Sequence, residues 1–399
     1  MANLSPEVFH LILNELDIGD PTLCALRLVS KTVKEITTPV AFSVITVQDS
    51  VKSAEAVSFL QTCDSEIRDL VQEVVFQGDA KETSSEDSVT ALFAAFSGLS
   101  KFPNLRRMRF DFHDCYEEII TDSDGDLWHG DATRFLRLQI ALLEALATNP
   151  PPPLISLVLN SIIAIANPIY ARQDFRAIFS TLQILEISVI CDDVPEPYPW
   201  DKGPEPRFFN FWDRNKSVSL MMGSAQSLTS LKLRSDEYLG GDLPLSRSFK
   251  DIVLPHLSEL VLDGFVLDKR YSEDSDIVLF IIQQKNTLIR LALYDCIIDT
   301  APRWAPALPA GIRQCDRPWH AVFQLFETQL PALREFVFVD KESGGCDFRR
   351  THRFPYAELS DWIYYALETE RVENNERDMP AYESLMATIE TRNLKALEP

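Results

Sequence analysis

Glycine is scarce, with 13 in 399 residues. Nucleotide-binding α/β enzymes need glycine turns after their strands, so that backbone can approach a phosphate. Neither G-x-G-x-x-G nor G-x-x-x-x-G-K-[ST] occurs, and the nucleophile elbow G-x-S-x-G is also missing. Positive charge is short as well: 38 Lys and Arg against 60 Asp and Glu leave −22. A surface this acidic repels phosphate backbones, which argues against nucleic acid as a partner. No apolar run is long enough for a membrane. The best stretch, 154–171, is broken by Asn160, Asn167 and Pro168, and a spanning helix needs roughly 20 apolar residues. Arg27 is the first basic residue, so no charged segment precedes an apolar signal core. The seven cysteines stand singly and are odd in number, as expected of reduced thiols in the cytoplasm or nucleus. What is present is ordinary: 46% hydrophobic and 25% charged residues predict a globular chain of two or three domains.

The search for chemistry is short. Asp122-Ser-Asp-Gly-Asp126 suggests calcium, yet positions 6 and 12 of such a loop would be Leu127 and Thr133. His113 and Cys115, Cys315 and His320, and Cys346 and His352 lack the paired spacings of a structural zinc site. No nucleophile sits beside a base in a recognisable motif. The expectation is a non-enzymatic chain with no metal and no cofactor.

The first 46 residues read as three short helices. Ser5 caps the first, with Pro6 at its first position, and Val8, Ile12 and Leu16 recur every four residues, with Leu13 on the adjoining edge. Asp20-Pro21 opens a second helix that carries Leu23, Leu26 and Val29. Ser30 caps a third, and Pro39 is expected to end or kink it. Phe42–Val47 then alternates as a strand. The order Leu4-Ser-Pro-Glu-Val8, Ile12-Leu13, Leu16, Leu26-Arg-Leu-Val-Ser-Lys31 and Thr38-Pro39-x-x-Phe42 resembles an F-box, particularly of the filamentous-fungal type. Ser5 separates the Leu and Pro that commonly adjoin in that family. The resemblance implies docking on a Skp-type adaptor through Leu4, Pro6, Val8, Ile12, Leu13, Leu16, Leu26, Val29, Ser30 and Lys31.

Beyond lies one pattern, apolar-x-x-apolar-x-apolar, in eight copies. They begin at Val71, Leu105, Leu154, Leu182, Leu228, Leu257, Leu288 and Leu333, at spacings of 28 to 49 residues. The fourth and sixth positions place two side chains on one strand face, and the first fills the core at the turn before it. Between copies, 88–99, 131–148, 175–182, 276–284 and 318–330 have helical periodicity. Strand followed by helix, repeated, resembles an irregular leucine-rich repeat, although the spacing is long and only Asn160 and Cys296 stand near the asparagine place. The expectation is an α/β chain: an F-box over 1–46, a solenoid of parallel strands and covering helices over 47–345, and a helical cap over 346–399. The cap is expected as two helices, the first with Leu359, Trp362, Ile363 and Ala366 at helical spacing. A doubly wound α/β enzyme is the rival fold, and the missing glycine turns weigh against it.

Two insertions, 195–215 and 300–319, combine proline with aromatics. Tyr198, Trp200, Phe208, Trp212, Trp304 and Trp319 are the candidate target contacts, since aromatics dominate binding hot spots. Together these features imply the substrate receptor of a cullin–RING (SCF-type) ubiquitin ligase. It would join the adaptor and cullin core to a target protein with a basic surface, and it would bind neither membrane nor nucleic acid. A repeat scaffold working outside any ligase is the alternative.

Overall fold

The computed structural model describes residues 25–62, 65–78, 86–113, 134–164, 167–190, 211, 217–239, 249, 252–267, 277–300, 317–340, 354–360, 363–366, 372 and 374–397. The fold is α/β and has two compact units, 1–161 with 172–178 and 162–171 with 179–399.

In the first unit, helix α1 (Lys31–Ser43) leads into β1 (Val44–Gln48) with no residue between. Ser30 caps α1 as the sequence requires, its hydroxyl accepting the Val33 N–H at 3.2 Å. Pro39 does not end the helix; it lies inside, and helix runs on through Phe42 and Ser43. The strand therefore starts at Val44, two residues later than the alternation suggests. After β1 come α2 (Val51–Thr62), β2 (Glu73–Gln77), α3 (Glu86–Phe96), β3 (Arg107–Asp111), α4 (Arg134–Thr148), β4 (Ser156–Ile163) and α5 (Gln173–Ala177). The strands pair in parallel and in chain order. Phe76 on β2 meets Phe96 on α3 with centroids 6.0 Å apart, and Phe96 meets Phe110 on β3 at 5.6 Å, so α3 covers the core face of those strands.

The second unit has β5 (Ile184–Ile190), α6 (Ser217–Ser224), β6 (Ser230–Leu239), β7 (Glu259–Phe265), α7 (Ile277–Gln283), β8 (Arg290–Tyr294), β9 (Ile298–Asp299), α8 (Trp319–Gln329) and β10 (Glu335–Val339). β5 to β8 and β10 again pair in parallel in chain order.

The six-residue pattern decides this arrangement. In each of the eight copies the strand begins at the third position. Neighbouring strands match third position to third position without stagger: Glu73 with Arg107, Arg107 with Ser156, Ser230 with Glu259, Glu259 with Arg290 and Arg290 with Glu335. Positions one, four and six are buried in every copy. Full burial of such a side chain stabilises by about 1.5–3 kcal/mol, so three per copy outweigh everything else the pattern specifies.

A second regularity lies in the backbone. The carbonyl of position two accepts the N–H groups of positions two and three of the next copy. Gln72 takes Arg106 and Arg107, Thr229 takes Ser258 and Glu259, Ser258 takes Ile289 and Arg290, and Ile289 takes Arg334 and Glu335. Ser43 accepts the Gln72 N–H at 2.8 Å in the same way, which makes Phe42-Ser-Val-Ile-Thr-Val47 a ninth copy whose first two residues lie in α1.

In three of the eight copies position eight turns the chain. Ser161, Gly264 and Asp295 all occupy it, and all have positive φ (56°, 81° and 49°). Only glycine takes such values without penalty, so the other two mark a turn the surroundings enforce. Beyond it a second ladder forms: Val266 bridges Ile297, and β9 pairs in parallel with β11 (Tyr356–Ser360).

That ladder corrects one expectation. Residues 356–360 and 363–366 are not the first helix of a cap. They form β11 and β12 (Ile363–Ala366), an antiparallel pair with β11 beside β9, while Trp362 lies outside the described residues. A helix there would leave the edge of β9 unpaired and the core cluster of Val266, Ile297 and Ala357 open. The second expected helix is present as α9 (Asp378–Leu397).

Candidate interaction surfaces

Three features could carry function: the turn before α1, the outward face of the parallel strands, and the buried polar clusters. Of the adaptor-contact residues, Leu4, Pro6, Val8, Ile12, Leu13 and Leu16 lie outside the described residues. Leu26, Val29, Ser30 and Lys31 are described. Arg27 fixes the turn, its Nε donating to Thr38 Oγ1 at 3.1 Å while the guanidinium lies 4.6 Å over the Phe42 ring. Leu28 is 88% exposed and Val29 52%. Lys31 is exposed and sits 3.9 Å from Glu35 one turn on. Among the described residues, Leu28 and Val29 are thus two neighbouring apolar side chains outside the core.

Charged side chains gather at odd positions of several strands, on the face opposite the core positions. In the first unit Glu73 faces Arg107 at 3.9 Å, Arg109 binds Asp111 at 2.8 Å, and Asn160 Nδ2 donates to Asp111 at 2.7 Å. In the second, Lys232 meets Glu186 at 3.3 Å and Arg234 meets Asp263 at 3.6 Å. Arg290 bridges two strands, binding Glu259 on β7 and Glu335 on β10, the latter at 3.0 Å. The Glu335 carboxylate, then Glu259, hold that guanidinium even more firmly charged than usual. The ladder fixes register across strands and presents alternating charge.

The candidate target contacts fare differently. Tyr198, Trp200, Phe208, Trp212 and Trp304 lie outside the described residues. Trp319 is described, and it is no surface residue: it is 0% exposed. It opens α8 and packs its ring against Phe323 and Phe338, with centroids at 5.4 and 5.0 Å. Its indole N–H donates to the Pro355 carbonyl at 2.8 Å. The burial of an indole outweighs what the same ring would gain as an exposed contact, so it belongs to the core.

Two buried polar clusters were not foreseen. Asp49 and Arg134 form an ion pair in the first unit, and Ser88 Oγ donates to Asp49 at 3.1 Å. In the second unit Asp378, at the start of α9, caps a different helix. Its Oδ1 accepts the His320 backbone N–H at 2.8 Å and lies 3.0 Å from His320 Nδ1. Its Oδ2 accepts the Tyr356 hydroxyl at 2.6 Å, and that hydroxyl accepts the Trp319 N–H at 3.1 Å. The first two N–H groups of α8 are thus satisfied from β11 and α9, a task a local cap would otherwise perform, since Pro318 offers no side-chain acceptor. Burial is the main reason the Asp378 carboxyl is held above its ordinary value, against the opposing bonds from Tyr356 and His320. A His–Asp–Tyr cluster resembles acid–base machinery, but both carboxylate oxygens are occupied with anchoring. Among the described residues no group of three His, Cys, Asp or Glu is placed to hold a metal. No described helix is long and apolar enough to cross a membrane.

No protein-family model matches the sequence, and no curated protein matches it.

Proposed function

We propose that the chain is a substrate-receptor subunit of an SCF-type cullin–RING ubiquitin ligase. It docks a Skp-type adaptor through an N-terminal F-box and a target protein through leucine-rich-repeat-like strands. The observation that carries this reading is the segment 26–48. There the "LRLVSK" stretch holds Leu28 and Val29 outward, Ser30 caps α1, and α1 passes into β1 without a linker. Adaptor-docking residues joined to the first strand without a linker leave no slack at that junction. A receptor of this kind raises the effective concentration of a bound target at a remote catalytic subunit, and slack at the junction would dissipate it. In this reading the chain itself performs no covalent chemistry and works in the cytoplasm or nucleus.

Co-expression of the full chain with a Skp-type adaptor and a cullin tests it. The three are expected to co-purify. Pro6→Glu with Leu13→Glu, and separately Leu28→Asp, are expected to release the adaptor while thermal unfolding of the chain stays cooperative. Adaptor binding that survives both sets of changes overturns the docking assignment, and adaptor capture without the cullin favours a scaffold outside the ligase.

A further inference from the structure

We propose that the groove between α9 and the start of β10 docks a helical segment of a partner protein whose apolar face is flanked by Lys or Arg. The groove holds about 740 Å³, and its floor is Phe336 on β10 with Tyr382, Met386 and Ile389 on α9. Leu394 closes one end and is 59% exposed.

Its chemistry selects the partner. Along α9 the groove-lining side is Met379, Glu383, Met386 and Glu390, so soft apolar residues alternate with carboxylates at one-turn spacing. Methionine adapts its shape to irregular apolar surfaces, as a recognition groove requires. Glu383 and Glu390 are both exposed. Of the other charges lining the groove, Glu335 is paired with Arg290 at 3.0 Å, and Arg334, whose guanidinium donates to the Pro331 and Leu333 carbonyls at 2.9 and 3.2 Å, keeps its positive charge at the β10 side. The α9 side of the rim is acidic, on a chain of net charge −22, and a cationic flank on the partner complements it there.

Backbone chemistry argues for a helix over an added strand. In earlier copies the position-two carbonyl receives the next strand. In the last copy that carbonyl belongs to Arg334, and Asn393 Nδ2 already donates to it at 2.9 Å. A tenth strand would have to displace this bond at its first anchoring point. From Met379 to Leu394 the groove follows about 22 Å of helix, at 1.5 Å per residue, which suits the apolar stripe of an amphipathic helix.

The inference does not depend on the ligase reading, and its test needs no adaptor. The probe is a fluorescein-labelled amphipathic helical peptide of about 18 residues, long enough to hold a helix, with Leu at i, i+3, i+4 and i+7 and Lys beside them. Its control carries Glu in place of each Lys. Anisotropy titration with the full chain is expected to show the Lys peptide binding at least about tenfold more tightly than the control. Glu383→Lys with Glu390→Lys is expected to remove that preference by about the same factor. Ala387→Trp, at an exposed position, is expected to block both peptides by filling the groove. Equal binding of the two peptides, or a preference unmoved by the charge reversals, overturns the proposal. So does a dimer of the chain that the same substitutions dissolve, since the groove would then serve a second copy.

Discussion

Asp378 shows how one side chain can hold three elements. It belongs to α9, satisfies the first turn of α8, and binds Tyr356 of β11. Asp378→Ala leaves the His320 N–H and the Tyr356 hydroxyl buried without an acceptor. The expected cost is about 3 kcal/mol in urea unfolding, within the range for orphaned buried donors. Asp378→Asn keeps an acceptor and is expected to cost less. It also isolates the titration. Because the folded carboxyl is raised above the unfolded value, folding takes up a proton between the two values. This contribution is therefore fully present below about pH 3.9 and is lost as pH climbs through the folded value, at no more than about 1.4 kcal/mol per pH unit. The stability difference between the parent and Asp378→Asn is expected to fall across that window and to level off above it. A difference that stays constant from pH 4 to pH 7, or rises, contradicts the assignment.

At the scale of elements, what was legible follows from what the chain must bury. Each strand carries its own three core positions within six residues, so Leu257, Leu260 and Leu262 announce β7 without knowledge of any neighbour. The paired strands β11 and β12 carry no such signature. Leu359, Trp362, Ile363 and Ala366 satisfy helical spacing, and only pairing with Ile298 and Asp299, some sixty residues earlier, decides for strand. Trp319 misled for a related reason. It stands where the proline-rich insertion 300–319 overlaps the helical stretch 318–330, and the helix prevails: Trp319 opens α8 and fills the core. The buried clusters were illegible because Asp49 with Arg134, and His320 with Asp378, meet only after folding.

The end of the array is a further tertiary matter, and it yields a prediction. Asn393 takes the carbonyl that the following copy would have used, and Arg392 donates to the Leu330 and Glu327 carbonyls at 2.8 and 2.6 Å. Helix α9 thereby replaces a missing neighbour along its whole last turns. Asn393→Ala is expected to lose about 1 kcal/mol, the net worth of one partly exposed hydrogen bond, measured as a lower urea midpoint with unchanged slope. Asn393→Gln, which keeps the amide, is expected to lose less. An unchanged midpoint for Asn393→Ala would show that the terminal carbonyl needs no protein partner.

For the molecule as a whole the question is where a net charge of −22 resides. It is not on the outward strand face. There Glu73, Asp111, Glu186, Glu259, Asp263 and Glu335 are answered by Arg107, Arg109, Lys232, Arg234 and Arg290, six against five. A target chosen for a basic surface therefore finds little preference on that face, and the carboxylates beside α9 are the better place for it. The excess elsewhere is uncompensated, and like charges at this density oppose the compact state. Salt acts on both populations in opposite senses. Screening weakens the exposed pairs, which contribute only about 0–1 kcal/mol each, and it also relieves the long-range repulsion, which acts over more than a Debye length at low ionic strength. Against eight paired Lys and Arg side chains among the described residues stand 22 negative charges in excess, so relief outweighs loss. The melting temperature is expected to rise when NaCl goes from about 20 mM to about 300 mM, a range over which the Debye length drops from beyond 20 Å to about 6 Å. Arg290→Ala, which strips the bridge between β7 and β10, is expected to steepen the rise, because the two carboxylates it leaves behind repel until screened. A melting temperature that falls with salt would mean that the paired ladder, and not the excess, governs the electrostatic stability of the fold.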